Sequence, residues 1–396
     1  MTHTDARAPQ TLESTSPTGR RLPLLDVLRG AAILGTLMTN VWIFTGPGAE
    51  WGAQQSTSSE LSSGSLGDVV EGAFSVLANG KFLSLLTILF GVGLAIQYAS
   101  AARRGQPWPG RYRWRALFLF GEGTVHFVLV FAWDVLMGYA VTALLVAWLL
   151  TRSERAQRRV MWWAAGLHLT LMGLLTVAIA GTGDGSDSGG TVSREVVDLY
   201  AHGSYLDQIS FRLENAIALR MEPVLTFFLL VFLFLLGVRL FRAGAFGTDD
   251  TARRLRSRLL WWGLGLGLPL NVAAALGGPD FFLLARYGTA PLLALGYIGL
   301  IGAVVDRVRR PGPLLTGLTS VGRTALSGYV LQNVLCVLVS YGIGLGLAER
   351  LGDTGPWWVV GLWVTVCAVL MVGSTLWLRR FSAGPLESVQ KWALRR

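Results

Sequence analysis

Ten stretches of this chain are apolar and about 20 residues long. A helix of that length crosses a hydrocarbon core of roughly 30 Å with its backbone hydrogen bonds satisfied internally. We therefore expect an all-α integral membrane protein, a bundle of about ten transmembrane helices. The predicted spans lie at 26–45, 82–100, 115–132, 134–151, 160–181, 222–242, 257–276, 282–304, 322–347 and 357–378.

Composition and charge agree with a membrane location. Hydrophobic residues make up 52% of the chain and charged residues only 15%, against about 25% charged in soluble domains. The net charge of +10 comes from short arginine clusters between the apolar stretches, which set orientation in a bilayer rather than bind nucleic acid. The lipid bilayer is therefore an expected partner, and nucleic acid is not.

The arginine clusters predict the orientation of the bundle. Basic residues are enriched in cytoplasmic loops, and here they occur in every second connection, while acidic residues occur in the others. This alternation predicts that both termini are cytoplasmic. The clusters placed inside include Arg20, Arg103, Arg152, Arg253, Arg307 and Arg379, and the acids placed outside include Glu50, Asp184, Asp280 and Glu349.

The chain is expected to form one membrane unit with two additions. Residues 1–21 are polar and predict a disordered cytoplasmic tail, and residues 22–396 predict a single transmembrane bundle. Residues 182–221 form a long extracytoplasmic loop, expected to contain an amphipathic helix over 192–220. We see no internal repeat, which weighs against a transporter built from inverted halves.

One span contains ionisable residues at membrane depth. Glu122 and His126 are four residues apart, so they share a helix face and can pair as a base and its orienting carboxylate. Asp134 follows at a junction with no turn residues, and it reaches this pair only if the chain reverses there. Such groups usually mark function, although a structural contact between helices is the alternative.

Other polar residues stand near the ends of spans. Asp26 and Arg29 open the first span, and Asn40 lies near its outer end. Lys81 is expected to extend to the interface, and His168 to form a helix contact. Arg323 lies at the inner start of the ninth span. Cys336 and Cys367 have no metal-ligand spacing, so we expect small buried side chains and no metal site.

Six segments, in this order, resemble the YeiB-like family of bacterial membrane proteins, whose C-terminal region is a domain of unknown function (418). They are LDVLRGAAILGTLMTN, KFLSLLTILFGVGLA, GEGTVHFVLVFAWDVLMGYA, RYGTAPLLALGY, VGRTALSGYVLQN and GPLESVQKW. The resemblance runs from residue 22 to the end, and the YeiB-like C-terminal region covers about 222–396.

The family is distantly similar to heparan α-glucosaminide N-acetyltransferase and to bacterial membrane sugar acyltransferases. Those enzymes pass an acyl group from cytoplasmic acyl-CoA to an acceptor on the other side. The resemblance implies that Asp26 and Arg29 match their first-span motif. The bacterial enzymes have a histidine where this chain has Asn40. The heparan enzyme has an asparagine there and its histidine in the following loop. Residues 41–81 contain no histidine, so His126 is the expected replacement.

The leading hypothesis is therefore an acyltransferase of the bacterial cytoplasmic membrane. It would use acyl-CoA, acetyl-CoA by expectation, and a small-molecule or envelope-glycan acceptor. The expected catalytic residues are His126, Glu122, Asn40 and Asp134, and the expected donor-binding residues are Asp26, Arg29, Arg115 and Arg323. A proton-coupled transporter and a non-catalytic scaffold remain as alternatives, and a homodimer is compatible with the sequence.

Overall fold

The computed structural model describes residues 22–55, 66–182 and 192–394, and these form helices and loops without a strand. The all-α prediction is confirmed. The predicted tail at 1–21 and most of the linker at 182–191 lie outside the described residues. The helices are α1 Pro23–Thr45, α2 Ala49–Gln55, α3 Leu66–Ala78, α4 Lys81–Arg103, α5 Tyr112–Leu129, α6 Leu136–Leu149, α7 Glu154–Thr182, α8 Arg194–Ala201, α9 Tyr205–Glu214, α10 Ala216–Leu219, α11 Met221–Leu225, α12 Phe227–Arg242, α13 Asp250–Leu276, α14 Ala290–Arg307, α15 Pro313–Arg323, α16 Ala325–Ser340, α17 Leu347–Leu351, α18 Trp357–Arg380 and α19 Pro385–Ala393.

Each predicted span coincides with helical structure, and the multi-pass character is clear. Six helical segments of the described chain are long and apolar enough to cross a bilayer. They are Pro23–Thr45, Val69–Arg103, Glu154–Gly181, Asp250–Leu276, Pro279–Arg307 and Trp357–Arg380. Two shorter apolar helices, Leu136–Leu149 and Ala325–Ser340, accompany them.

The predicted span 322–347 is divided at Thr324 into α15 and α16. The Thr324 hydroxyl bonds back to the Ser320 carbonyl at 3.1 Å. Glu387 of α19 accepts the Leu326 N–H at 2.8 Å and the Ser327 hydroxyl at 2.6 Å. A distant carboxylate therefore satisfies the backbone groups exposed by the break, as a helix start requires.

Close helix contacts depend on glycine. Gly30 of α1 packs directly on the backbone of Leu318 in α15, and Gly322 packs on the backbone of Asp26. Gly91 of α4 meets the backbone of Phe234 in α12 in the same way. Small residues allow helix backbones to approach in membranes, so α1 with α15 and α4 with α12 pack closely.

Helices α8 and α9 are packed onto the bundle through Glu50 of α2, which is fully buried. Its carboxylate accepts hydrogen bonds from the Arg212 guanidinium at 3.1 Å and from the Tyr200 hydroxyl at 2.5 Å. It also accepts the Ala132 N–H at 3.3 Å, and its carbonyl accepts the Trp133 indole N–H at 3.0 Å. This cluster fixes the junction between α5 and α6.

Two predictions about smaller features require correction. The Lys81 side chain does not extend to the interface: the residue is 2% exposed, and Nζ donates to the Ser75 carbonyl at 3.1 Å. The amphipathic segment expected over 192–220 is not one helix but α8, α9 and α10. The reason is that α9 begins at its own Ser204 capping box. Cys336 and Cys367 are free and buried, as predicted.

Candidate functional site

The site is built at the junction between α5 and α6, which pack against each other. At the end of α5, the backbone N–H groups of Val130 and Phe131 both donate to the His126 carbonyl. The Asp134 Oδ2 atom then accepts the N–H groups of Leu136 at 3.0 Å and Met137 at 3.3 Å. Asp134 thus caps the first turn of α6, and the short connection supplies the chain reversal that the sequence left open.

Reversal brings Asp134 against His126. The Nδ1 atom of His126 lies 3.3 Å from Asp134 Oδ1, and the two side chains are 2% and 0% exposed. The geometry of this contact is not that of a hydrogen bond, because Nδ1 has no hydrogen-bond partner in the described part of the chain. Gly123 makes the approach possible, because a Cβ there would stand 2.7 Å from Asp134 Oδ2.

The other imidazole nitrogen faces Asn333 of α16. The distance from His126 Nε2 to Asn333 Nδ2 is 3.2 Å. The two groups can share a hydrogen bond, in which the role of each depends on the imidazole tautomer and on the orientation of the amide. In the tautomer that carries its proton on Nδ1, beside Asp134, Nε2 is the ring nitrogen that can act as a base.

Tyr329 and Arg220 complete the surroundings of Asp134. The Tyr329 hydroxyl lies 3.5 Å from Asp134 Oδ1, and its ring is 5.3 Å from the imidazole. Arg220 donates to the Asp134 carbonyl at 2.9 Å, and its Nη1 lies 4.0 Å from Asp134 Oδ2. The guanidinium also lies 4.2 Å above the Phe127 ring. A buried carboxylate is thus compensated by a nearby cation.

Glu122 lies on the same helix as His126, but the carboxylate that contacts the imidazole is not the predicted one. Asp134, and not Glu122, is the carboxylate beside the His126 ring. Both Glu122 oxygens are buried and have no hydrogen-bond partner among the described residues. Unpaired buried acceptors are rare in folded proteins and require an explanation.

Asn40 lines a small cavity of about 30 Å³ next to this cluster. A cavity of this size holds about two water molecules. Its wall includes Trp133 and Tyr329, and the latter also contacts Asp134. A neighbouring cavity of about 20 Å³ is lined by Asp134 and shares Trp133 with the first. Asn40 therefore shares a cavity wall with Tyr329, which contacts both Asp134 and His126.

A second polar cluster borders the same cavity, and sequence reasoning missed it. Glu222 Oε1 accepts Arg286 at 2.9 Å and the Tyr287 hydroxyl at 2.6 Å. Arg286 also donates to Asn79. Arg286 and Tyr287 lie in a π-helix, Leu284–Thr289, and π-helical turns occur frequently at functional sites.

The predicted donor-binding residues separate into two groups. Arg29 pairs with Asp26 at 3.4 Å, and Arg323 follows Gly322, which packs on Asp26. Arg115 lies elsewhere, in a cleft of about 1010 Å³ with Arg104 and Arg111. Neither Arg29 nor Arg323 is among the described residues that line this cleft.

The other histidines have separate environments. His168 is buried, and its Nε2 lies 3.1 Å from the Tyr287 carbonyl, which confirms the predicted helix contact. In the connection between α8 and α9, His202 Nδ1 lies 2.8 Å from Asp198 Oδ1, and its Nε2 lies 3.4 Å from Glu349 Oε2. The hydrogen bond to Asp198, together with the Glu349 charge, raises the pKa of His202 above 6.5.

Comparisons with known proteins confirm the predicted resemblance. Residues 240–396 match the family described as protein of unknown function, DUF418. The chain is 27% identical over 384 residues to the uncharacterized protein YxaH of Bacillus subtilis (strain 168), covering 93% of each chain. It is also 27% identical over 393 residues to the uncharacterized protein YeiB of Escherichia coli (strain K12), covering 92% of this chain and 93% of the relative. No solved structure matches.

Proposed function

We propose that this protein is an acyltransferase of the bacterial cytoplasmic membrane, a bundle of about ten transmembrane helices with both termini in the cytoplasm. It moves an acyl group from cytoplasmic acyl-CoA to a hydroxyl or amine on the outer side. The observation that carries the proposal is the buried contact between His126 and Asp134. An imidazole oriented by a carboxylate is the usual general base for activating such a nucleophile.

The proposed step begins when the acceptor takes the place of the Asn333 amide at His126 Nε2. His126 removes the acceptor proton as the acceptor oxygen or nitrogen attacks the thioester carbonyl carbon. The carbon–sulfur bond then breaks, and the departing CoA thiolate takes the proton back from the imidazolium. Asp134 stabilises the imidazolium during this interval, as an adjacent carboxylate favours the charged ring.

The carbonyl oxygen becomes negative in the transition state and requires a donor. The Asn40 amide, on the wall of the adjacent cavity, is the proposed donor. The donor phosphates are proposed to meet Arg29 or Arg323 beside Asp26, or Arg115 in the separate cleft, by charge-assisted hydrogen bonds.

Thermal unfolding tests the donor assignment. The purified protein is heated with acetyl-CoA, longer acyl-CoAs and free CoA. A ligand present at about 100 times its Kd and bound only by the folded state adds roughly 2.7 kcal/mol. We expect a higher Tm with acyl-CoA, reduced in Arg29→Ala. A Tm unchanged by every CoA species in cooperatively unfolding protein contradicts the proposal.

A proton-coupled transporter is the second candidate, and the unpaired carboxylate of Glu122 favours it. Glu122, His126 and Asp134 form a series of titratable groups inside the bundle, as in proton relays. In sealed vesicles, substrate-driven proton movement without an acyl product, lost in Glu122→Gln, would support this alternative over acyl transfer.

A further inference from the structure

A large cleft lies between the connection after α4, the start of α5 and the end of α19. Its volume is about 1010 Å³. Its lining includes Arg104, Arg111 and Arg115 and, among the described residues, no carboxylate. It is therefore a concentrated positive site of ligand size.

A second basic cleft provides a contrast. It measures about 330 Å³ and contains Arg158, Arg239 and Arg242. There Glu154 lies in the wall and is 3.6 Å from Arg242, so part of the charge is already neutralised. No hydrogen bond to the side chain of Arg111 or Arg115 is present within the described ranges, and the larger cleft keeps its charge for a ligand.

One wall of the larger cleft is held rigidly. The Trp108 indole donates to the Ala147 carbonyl at 2.8 Å. Its ring stacks on Tyr112, with centroids 5.3 Å apart and an interplanar angle of 29°. Arg104 is fixed by hydrogen bonds to Ser100 at 2.5 Å and Gln106 at 3.2 Å. A preorganised wall reduces the entropy lost on binding.

The other wall continues along α5. Leu117 and Phe118 line the cleft, and Leu117 is 56% exposed. Positions 111, 115, 118 and 122 follow helical spacing and share one face. This face runs from the two arginines through Phe118 to the unpaired carboxylate of Glu122, one turn before His126.

We infer that this cleft binds an amphiphile that carries phosphate on its head and an acyl chain as its tail. The phosphate contacts Arg111 and Arg115, which form charge-assisted hydrogen bonds. The chain lies against Leu117 and Phe118, where it stays out of water. The inference rests on the proposed function where the ligand is acyl-CoA, and it holds independently where the ligand is an anionic phospholipid.

Binding to the purified protein in nanodiscs of zwitterionic lipid tests this inference. The probes are palmitoyl-CoA, dioctanoyl phosphatidic acid and glycerol 3-phosphate, which has the phosphate without the chain. The variant is Arg111→Gln with Arg115→Gln. The matched control is Arg309→Gln with Arg310→Gln, which removes the same charge from exposed arginines outside the cleft.

We expect glycerol 3-phosphate to bind far more weakly than either acylated probe. We expect the Arg111/Arg115 variant to weaken at least one acylated probe about tenfold or more, and the control variant to leave it unchanged. Loss of palmitoyl-CoA binding places the acyl donor in the cleft. Loss confined to phosphatidic acid, with no CoA binding by the unmodified protein, supports the cleft as a lipid site and contradicts the proposed acyl transfer. Equal affinities in both variants overturn the inference.

Discussion

The imidazole Nδ1 of His126 lies 3.3 Å from Oδ1 of Asp134, and neither side chain is accessible to water. The two residues face each other because α5 stops at Leu129 and α6 starts at Leu136, with Asp134 capping the new helix. One carboxylate oxygen therefore holds the backbone while the other approaches the ring. The start of α6 and the proposed chemistry both depend on the Asp134 side chain, and substitutions of Asp134 can separate the two roles.

Asp134→Asn and Asp134→Ala should differ in stability. Asparagine keeps an oxygen that can accept the Leu136 and Met137 N–H groups, whereas alanine removes the cap, which costs about 0.5–2 kcal/mol. We expect a lower Tm for the alanine variant in a thermal unfolding experiment. Both variants should lose acyl transfer, since neither carries the charge. Equal Tm values would show that the capping bonds contribute nothing.

Glu50→Ala should strongly destabilise the packing of α8 and α9 on the bundle. It leaves the Arg212 guanidinium, which is 1% exposed, without its carboxylate. Breaking a buried ion pair on one side costs about 3–5 kcal/mol. Thermal unfolding measures the loss, with Glu195→Ala as the control, because Glu195 is exposed on α8, in the segment that Glu50 holds. A Glu50 variant as stable as the Glu195 variant would refute the anchoring role.

His202, between α8 and α9, should contribute to the stability of the fold in a pH-dependent way. Asp198 and Glu349 raise the pKa of His202 in the folded state above 6.5, so folding favours the protonated ring. The resulting stabilisation is complete below the unfolded pKa and is lost as the pH rises through the folded pKa. The Tm difference between unmodified protein and His202→Gln should therefore be larger at about pH 5 than at about pH 8. A difference that grows with pH would reverse this assignment.

Alanine substitution of the two glycines of the GVG sequence in α4 should have different effects on stability. A Cβ at Gly91 would stand 2.8 Å from the Cα of Phe234, whereas a Cβ at Gly93 meets nothing within 4 Å. Gly91→Ala should cost about 1–3 kcal/mol or more, as overpacking does. Gly93→Ala should be neutral or stabilising by up to about 1 kcal/mol. Unfolding in mild detergent compares them directly, and equal effects would contradict the close α4–α12 contact.

The hydropathy of the sequence was sufficient to predict the apolar helical spans, because a bilayer allows few other structures. It did not predict the break at Thr324. The groups that stabilise the break include Glu387, which is far along the chain and whose position depends on how α19 packs. The same limit applies to Lys81, whose acceptor, the Ser75 carbonyl, belongs to another helix.

The candidate site was predictable residue by residue but not as an arrangement. His126, Glu122 and Asp134 are identifiable as polar residues in an apolar region. Their pairing depends on the direction of the chain after Phe131, which local spacing does not determine. Asn333, Arg220 and Glu222 come from later parts of the chain, and tertiary packing alone places them around the junction.

Transfer of label from radiolabelled acetyl-CoA to a cell-envelope extract, catalysed by purified protein in proteoliposomes, tests the central claim most directly. The comparison is between His126→Ala and His168→Ala, since both histidines are buried but only His126 contacts Asp134. Both variants are used only where they unfold cooperatively. We predict labelling by the unmodified protein and by His168→Ala, and a decrease of about 100-fold or more in His126→Ala. Undiminished labelling by His126→Ala, or none by the unmodified protein, would contradict the account.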